Sequence, residues 1–149
     1  MVTAGAGILR CGLGAVFLFA GIQKVRDITL FSADIQAYRL LPDALIGPAA
    51  SYLPFLEIFV GAALIFRLVY LGALLLSGGM IGVFLAALGS AFGRGLDIDC
   101  GCFGRAGSGH SIGREIGIDV FLFFIWFFLA WRYVKDNSGT NLQGLKTDP

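Results

Sequence analysis

The chain has 149 residues, 57% of them hydrophobic and 14% charged, with a formal net charge of +1. Soluble domains carry about 25% charged residues, so most of this surface must face something other than water. The near-neutral balance excludes a basic nucleic-acid-binding face. Length allows one domain, and the composition is that of an integral membrane protein in a lipid bilayer.

The first apolar run, Ala4 to Ile22, has about the 20 residues a spanning helix needs. No small-residue cleavage site ends it and three more runs follow, so it reads as an uncleaved first span. Gly5, Gly7, Gly12, Gly14 and Gly21 offer smooth faces for close helix packing. Arg10 lies within the run and needs a partner. Cys11, about 10 Å deep by helix rise, is expected to be a buried small apolar residue.

Lys24, Arg26 and Asp27 mark a membrane face. From Ile28 to Leu41, apolar residues recur every three or four positions (Ile28, Phe31, Ile35, Tyr38, Leu41), with Ser32, Asp34, Gln36 and Arg39 between them. The pattern predicts an amphipathic helix lying in the interface, capped by Asp27 and stopped by Pro42. Further spans are expected at 46–66, with Pro48, Pro54 and Glu57, at 68–92 after a short turn at Arg67, and at 116–134. The polar tail, 135–149, is expected to be flexible. The fold class is therefore all-α: a four-helix membrane bundle with one interfacial helix between the first two spans.

The loop over 93–113 carries the chemistry. Eight glycines stand from Gly89 to Gly113, around Asp97-Ile98-Asp99-Cys100-Gly101-Cys102-Phe103-Gly104. Two thiols one residue apart close a small disulfide ring only if the backbone turns sharply, a freedom that Gly101 supplies. A strained or exposed disulfide exchanges readily, which suits an oxidant or relay. Two other readings stay open: a structural bridge, and a thiolate–imidazole metal site of Cys100, Cys102 and His110. Asp97 and Asp99 would raise the thiol pKa, and Arg94 and Arg105 would lower it.

Buried membrane charges are expected to pair. Depth counted at about 1.5 Å per residue puts Arg10 level with Glu57, and Lys24 level with Asp119. Glu57 and Asp119 are candidate catalytic groups beside Cys100 and Cys102, serving proton transfer in thiol or quinone chemistry. The alternative role for the charged residues is neutralisation that fixes helix register.

Several stretches together resemble the MauE (methylamine utilisation) branch of the DoxX-like membrane proteins. They are Arg10 with Leu13-Gly14, Phe17-Leu18-Phe19-Ala20-Gly21 with Lys24 and Asp27, and Phe31 through Tyr38 to Leu40-Leu41-Pro42. Leu53-Pro54 with Glu57 and Gly61 follows, then Asp99-Cys100-Gly101-Cys102-Phe103-Gly104. Two positions depart from the family pattern: Ile28, where proline is frequent, and Ile118-Asp119, where an Arg-Asp pair is common.

The resemblance implies a redox-associated protein of a bacterial-type inner membrane. It would act beside a thioredoxin-fold partner in disulfide formation on exported proteins, with the cysteine loop extracytoplasmic. Lysine and arginine counts alone point the other way, with Lys24, Arg26, Arg39, Arg94, Arg105 and Arg114 on the cysteine side, against Arg67, Arg132, Lys135 and Lys146. Analogy with other four-helix thiol oxidases adds a membrane quinone as the electron acceptor. The expected function is thus a thiol–disulfide oxidoreductase or electron relay. The alternatives are a non-enzymatic accessory subunit with a structural disulfide, and a metal-handling protein.

Overall fold

A computed structural model describes residues 4–95 and 112–144. The described residues form five helices: α1 (Ala4–Arg26), α2 (Ile28–Tyr38), α3 (Asp43–Phe66), α4 (Tyr70–Gly93) and α5 (Ile112–Gly144). Four of them contain stretches long and apolar enough to cross a membrane: 5–26, 43–66, 70–93 and 115–136. A 24-residue helix such as α3 rises about 36 Å, enough for a hydrocarbon core of about 30 Å. α3 runs unbroken through Pro48 and Pro54. α5 continues beyond Val134 to Gly144, into the segment expected to be a flexible tail.

α1 and α3 form the most intimate pair. A Cβ on Gly14 would lie 2.8 Å from the Gly61 carbonyl oxygen, and one on Gly61 would lie 2.7 Å from that of Gly14. One on Gly21 would meet the Pro54 carbonyl oxygen at 2.8 Å. Only glycine lets the two backbones come this close. The two contacts fix an antiparallel register, since Gly14 to Gly21 and Gly61 back to Pro54 are the same length of helix. The core continues from this pair through Leu13, Phe17, Leu64, Leu74, Ile81 and Leu129, all buried.

α5 closes on α4 through Trp126, whose ring lies where a Gly78 side chain would be, and whose Nε1 donates to the Leu74 carbonyl at 2.7 Å. Most of α5's other large aromatic residues face outward, as Phe121, Phe124 and Trp131 do. That is the arrangement expected when lipid rather than water surrounds the bundle. Cys11 faces outward as well, which corrects the expectation that it is buried.

The expected interfacial helix is instead a short connector packed on α3. α2 is 11 residues long, and Asp27 caps it by accepting the Leu30 N–H at 3.1 Å. It ends at Tyr38, because Arg39 adopts the left-handed conformation (φ 50°) and turns its N–H back to the Gln36 carbonyl. Pro42 occupies the N-cap of α3 rather than stopping α2. The buried face of α2 carries Phe31, Asp34 and Tyr38, while Ile28 is exposed. The packed stripe is therefore turned about one residue from the apolar stripe seen in the sequence, and Asp34 lies inside it. A turn at 67–69, with Arg67 and Val69 both at positive φ, joins α3 to α4. The Leu68 N–H reaches back to the Ala63 carbonyl at 3.0 Å, closing the end of α3.

Candidate functional site: a buried charged cleft near the end of the bundle

Cys100 and Cys102 lie outside the described residues, as do Asp97, Asp99, Arg105 and His110. The ends that flank them are described. α4 finishes at Gly93 and α5 begins at Ile112, so the cysteine segment springs from one end of the bundle. Arg94 ties that end to α2, its Nη2 donating to the Tyr38 carbonyl at 2.7 Å.

Below this end lies a cleft of about 30 Å³ lined by Lys24, Glu57 and Asp119, with Phe17, Ile81 and Phe84. Lys24 comes from the last turn of α1, Glu57 from the middle of α3 and Asp119 from the second turn of α5. All three are at least nine-tenths buried: Lys24 is 3% exposed, Glu57 1% and Asp119 8%. Lys24 Nζ donates to Glu57 Oε1 in a closed ion pair. The ammonium also stands over two aromatic rings, 4.6 Å from the Phe84 centroid and 5.1 Å from that of Phe31. Rings so placed offer the cation their negative faces where water is excluded.

The expected partnership of Arg10 with Glu57 is therefore overturned: Glu57 is held by Lys24. The reason is side-chain direction. Helical side chains lean toward their own N-terminus. In the antiparallel α1–α3 pair, Lys24 and Glu57 therefore lean toward each other and meet near the Gly21–Pro54 level. Arg10 and Glu57 lean apart. Arg10 belongs to a second cleft at the other end of the bundle. The expected meeting of Lys24 with Asp119 finds them lining the same cleft.

The cleft holds one ammonium and two carboxyl groups. Glu57 Oε2 and Asp119 Oδ2 are buried with no hydrogen-bond partner among the described residues. Buried polar atoms without partners are rare and call for a specific role. Here they are acceptors facing a small space, able to take up and release a proton.

Next to the cleft is a larger cavity of about 220 Å³. Phe31, Leu53, Phe84 and Ala87 wall it, and Asp34 and Tyr38 are its polar-bearing residues. Phe84 lines both the cavity and the cleft, and Phe31, the other ring over which Lys24 sits, lines the cavity. Leu40, Leu41 and Val83 also line it and are exposed, so its mouth opens on the surface that faces lipid. Sequence reasoning missed the roles of Phe31 and Phe84. Helical spacing marks Phe31 only as an apolar position, and nothing in the apolar run 68–92 singles out Phe84.

Fold and cleft define a class: a multi-pass helical membrane protein with a buried, charge-bearing centre under one end of a four-span bundle. Within that class, the chain belongs to the family described as methylamine utilisation protein MauE, whose profile matches residues 2–132. It is 33% identical over 96 residues to methylamine utilization protein MauE of Paracoccus denitrificans, covering 64% of this chain and 52% of that one. It is 34% identical over 99 residues to methylamine utilization protein MauE of Methylophilus methylotrophus, covering 66% and 52%. The matched stretch thus spans about half the length of each relative. No solved structure matches the chain.

Proposed function

We propose that the protein is a membrane thiol–disulfide relay serving the maturation of an exported protein in methylamine utilisation, with Cys100 and Cys102 as the exchanging pair. The observation that carries this reading is the position of the buried cleft. Asp119 stands seven residues into α5 from Ile112, about 10 Å below the point where the cysteine segment joins.

Oxidising a partner's two thiols through the Cys100–Cys102 disulfide breaks two S–H bonds in the partner and forms one S–S bond there. The loop's own disulfide is reduced to two thiols. Reoxidation of those thiols releases two electrons and two protons. Glu57 and Asp119 offer buried carboxyl oxygens to carry the protons, and Lys24 holds Glu57 in place.

The electrons require a membrane-soluble acceptor. A quinone, when bound, supplies two-electron, two-proton acceptance. The apolar cavity beside the cleft fits its ring in size and lining, with Phe31, Leu53, Phe84 and Ala87 as the residues that would hold it. The partner is a thioredoxin-fold protein on the extracytoplasmic side of a bacterial inner membrane. The charge count that opposed this orientation is weakened by the packing. Lys24 lies buried against Glu57 inside the bundle rather than in a flanking loop, which takes it out of that count, while Arg94 keeps its charge at the end of α4.

Exchange through a mixed disulfide gives the test. With Cys102 as the partner-facing sulfur, Cys100→Ser leaves no resolving thiol. It should accumulate a dithiothreitol-sensitive adduct with a thioredoxin-fold protein, while Cys102→Ser gives none and Cys11→Ser behaves as wild type. If neither loop variant traps an adduct and both keep full activity, the relay reading is wrong and the pair is structural.

A further inference from the structure

The far end of the bundle carries a second charged cleft that the relay does not use. Arg10 of α1, Arg67 of the α3–α4 turn and Arg132 of α5 line a space of about 70 Å³ together with Tyr70, Tyr133 and Asp136. Three arginines from separate elements thus line one cleft with a single acidic residue, so positive charge is in excess there. Arg10 Nη1 is buried with no hydrogen-bond partner among the described residues. The two tyrosines brace each other edge to face, their ring centroids 5.5 Å apart. Like charges drawn together against their repulsion require an anion to offset them. The space has room for more than one water, enough for a small tetrahedral oxyanion.

We propose that this cleft binds a phosphate group. Guanidinium forks match phosphate oxygens in geometry and charge, and tyrosine hydroxyls add neutral donors. A clustered basic pocket between spans, at the end of a bundle, is placed where a phospholipid headgroup lies. Arg67 is exposed at the turn, and Leu129 and Ala6 line the same cleft, so the site borders both headgroup and acyl regions. A free phosphate ion reaching the same end from water has the same chemistry.

The test uses the full-length protein in detergent, with native mass spectrometry against added phosphatidylglycerol, diacylglycerol and inorganic phosphate. One phosphatidylglycerol per chain should be retained, and diacylglycerol about tenfold less or worse. Arg67→Gln with Arg132→Gln should weaken phosphatidylglycerol binding by about tenfold or more, and raised salt should weaken it as well. Arg67→Gln alone, at an exposed turn position, should give a several-fold loss should the double variant fold poorly. Retained phosphatidylglycerol that millimolar phosphate does not displace identifies a lipid headgroup. Displacement by phosphate, with phosphate itself bound, identifies the soluble ion. Equal retention of phosphatidylglycerol and diacylglycerol, or binding unchanged in the arginine variants, overturns the proposal.

Discussion

Removing one member of the Lys24–Glu57 pair should cost far more than removing both. Glu57→Leu strands an ammonium that is 3% exposed, and Lys24→Met strands a carboxylate that is 1% exposed beside the second carboxyl, Asp119. Breaking a buried pair from one side costs about 3–5 kcal/mol, because the remaining charge is left unsatisfied. The flanking rings of Phe31 and Phe84 keep part of that penalty from Lys24 when Glu57 is lost. Glu57→Leu should therefore fall toward the lower end and Lys24→Met toward the upper.

The double variant replaces both charges with apolar groups of similar volume, a change that is often neutral or stabilising. The sum of the single losses should then exceed the double loss by at least about 2 kcal/mol. Chemical unfolding in mild detergent, followed by far-UV circular dichroism, measures all three. Arg10→Gln combined with Glu57→Leu is the control and should be additive. Losses for Lys24→Met and Glu57→Leu that add to within about 0.5 kcal/mol would refute the pairing.

Gly61→Ala should destabilise by about 1–3 kcal/mol, because the new Cβ would fall 2.7 Å from backbone atoms of Gly14 and Leu18. Gly12→Ala, with nothing within 4 Å, should be neutral or slightly stabilising, and thermal denaturation compares them. Gly78→Ala should expel the Trp126 ring, which occupies that Cβ position, and break its 2.7 Å bond to the Leu74 carbonyl. The readout is a shift in tryptophan emission in a Trp131→Phe background. Asp119→Asn should slow reoxidation of the loop thiols by about 10²–10⁴-fold if its carboxyl carries the proton, while leaving mixed-disulfide trapping by Cys100→Ser intact. Stopped-flow thiol oxidation with a short-chain quinone measures it, and an unchanged rate removes Asp119 from the relay.

The four spans are legible in the sequence because run length and apolar composition are properties of a segment alone. The start of α2 is legible for the same reason, since Asp27 bonds to its own neighbour Leu30. Its end is not. Arg39 enters the left-handed region without a glycine or asparagine to announce it, so Pro42 looked like the stop. Asp34 was assigned outward by polarity, yet α2 buries it with Phe31 and Tyr38, because the helix is oriented by its packing on α3 rather than by a membrane surface.

In the candidate site, the acidic members were visible as intramembrane carboxyl groups. Their pairing was not. Depth along each helix axis treats a side chain as level with its own Cα, whereas Lys24 and Glu57 meet only because antiparallel helices make them lean together. Arg67 and Arg132, like Arg10, lie toward the terminal face, where they line the second cleft. Glycine content suggested close packing in α1 but could not distinguish Gly14 and Gly21, which touch α3, from Gly5, Gly7 and Gly12, which touch nothing.

The central claim rests on Cys100 and Cys102, and a redox titration of the purified protein with mass-resolved thiol counting tests it most directly. An exchanging pair predicts one two-electron couple, with a slope of about 30 mV per tenfold change in the ratio. Two alkylatable thiols should appear together on reduction, and in Cys100→Ser and Cys102→Ser that paired gain should be lost, leaving one loop thiol in both states, with Cys11 counted as a thiol throughout. Loop cysteines that stay thiols in an oxidising glutathione buffer, or that form a bridge glutathione and thioredoxin cannot reduce, would contradict it.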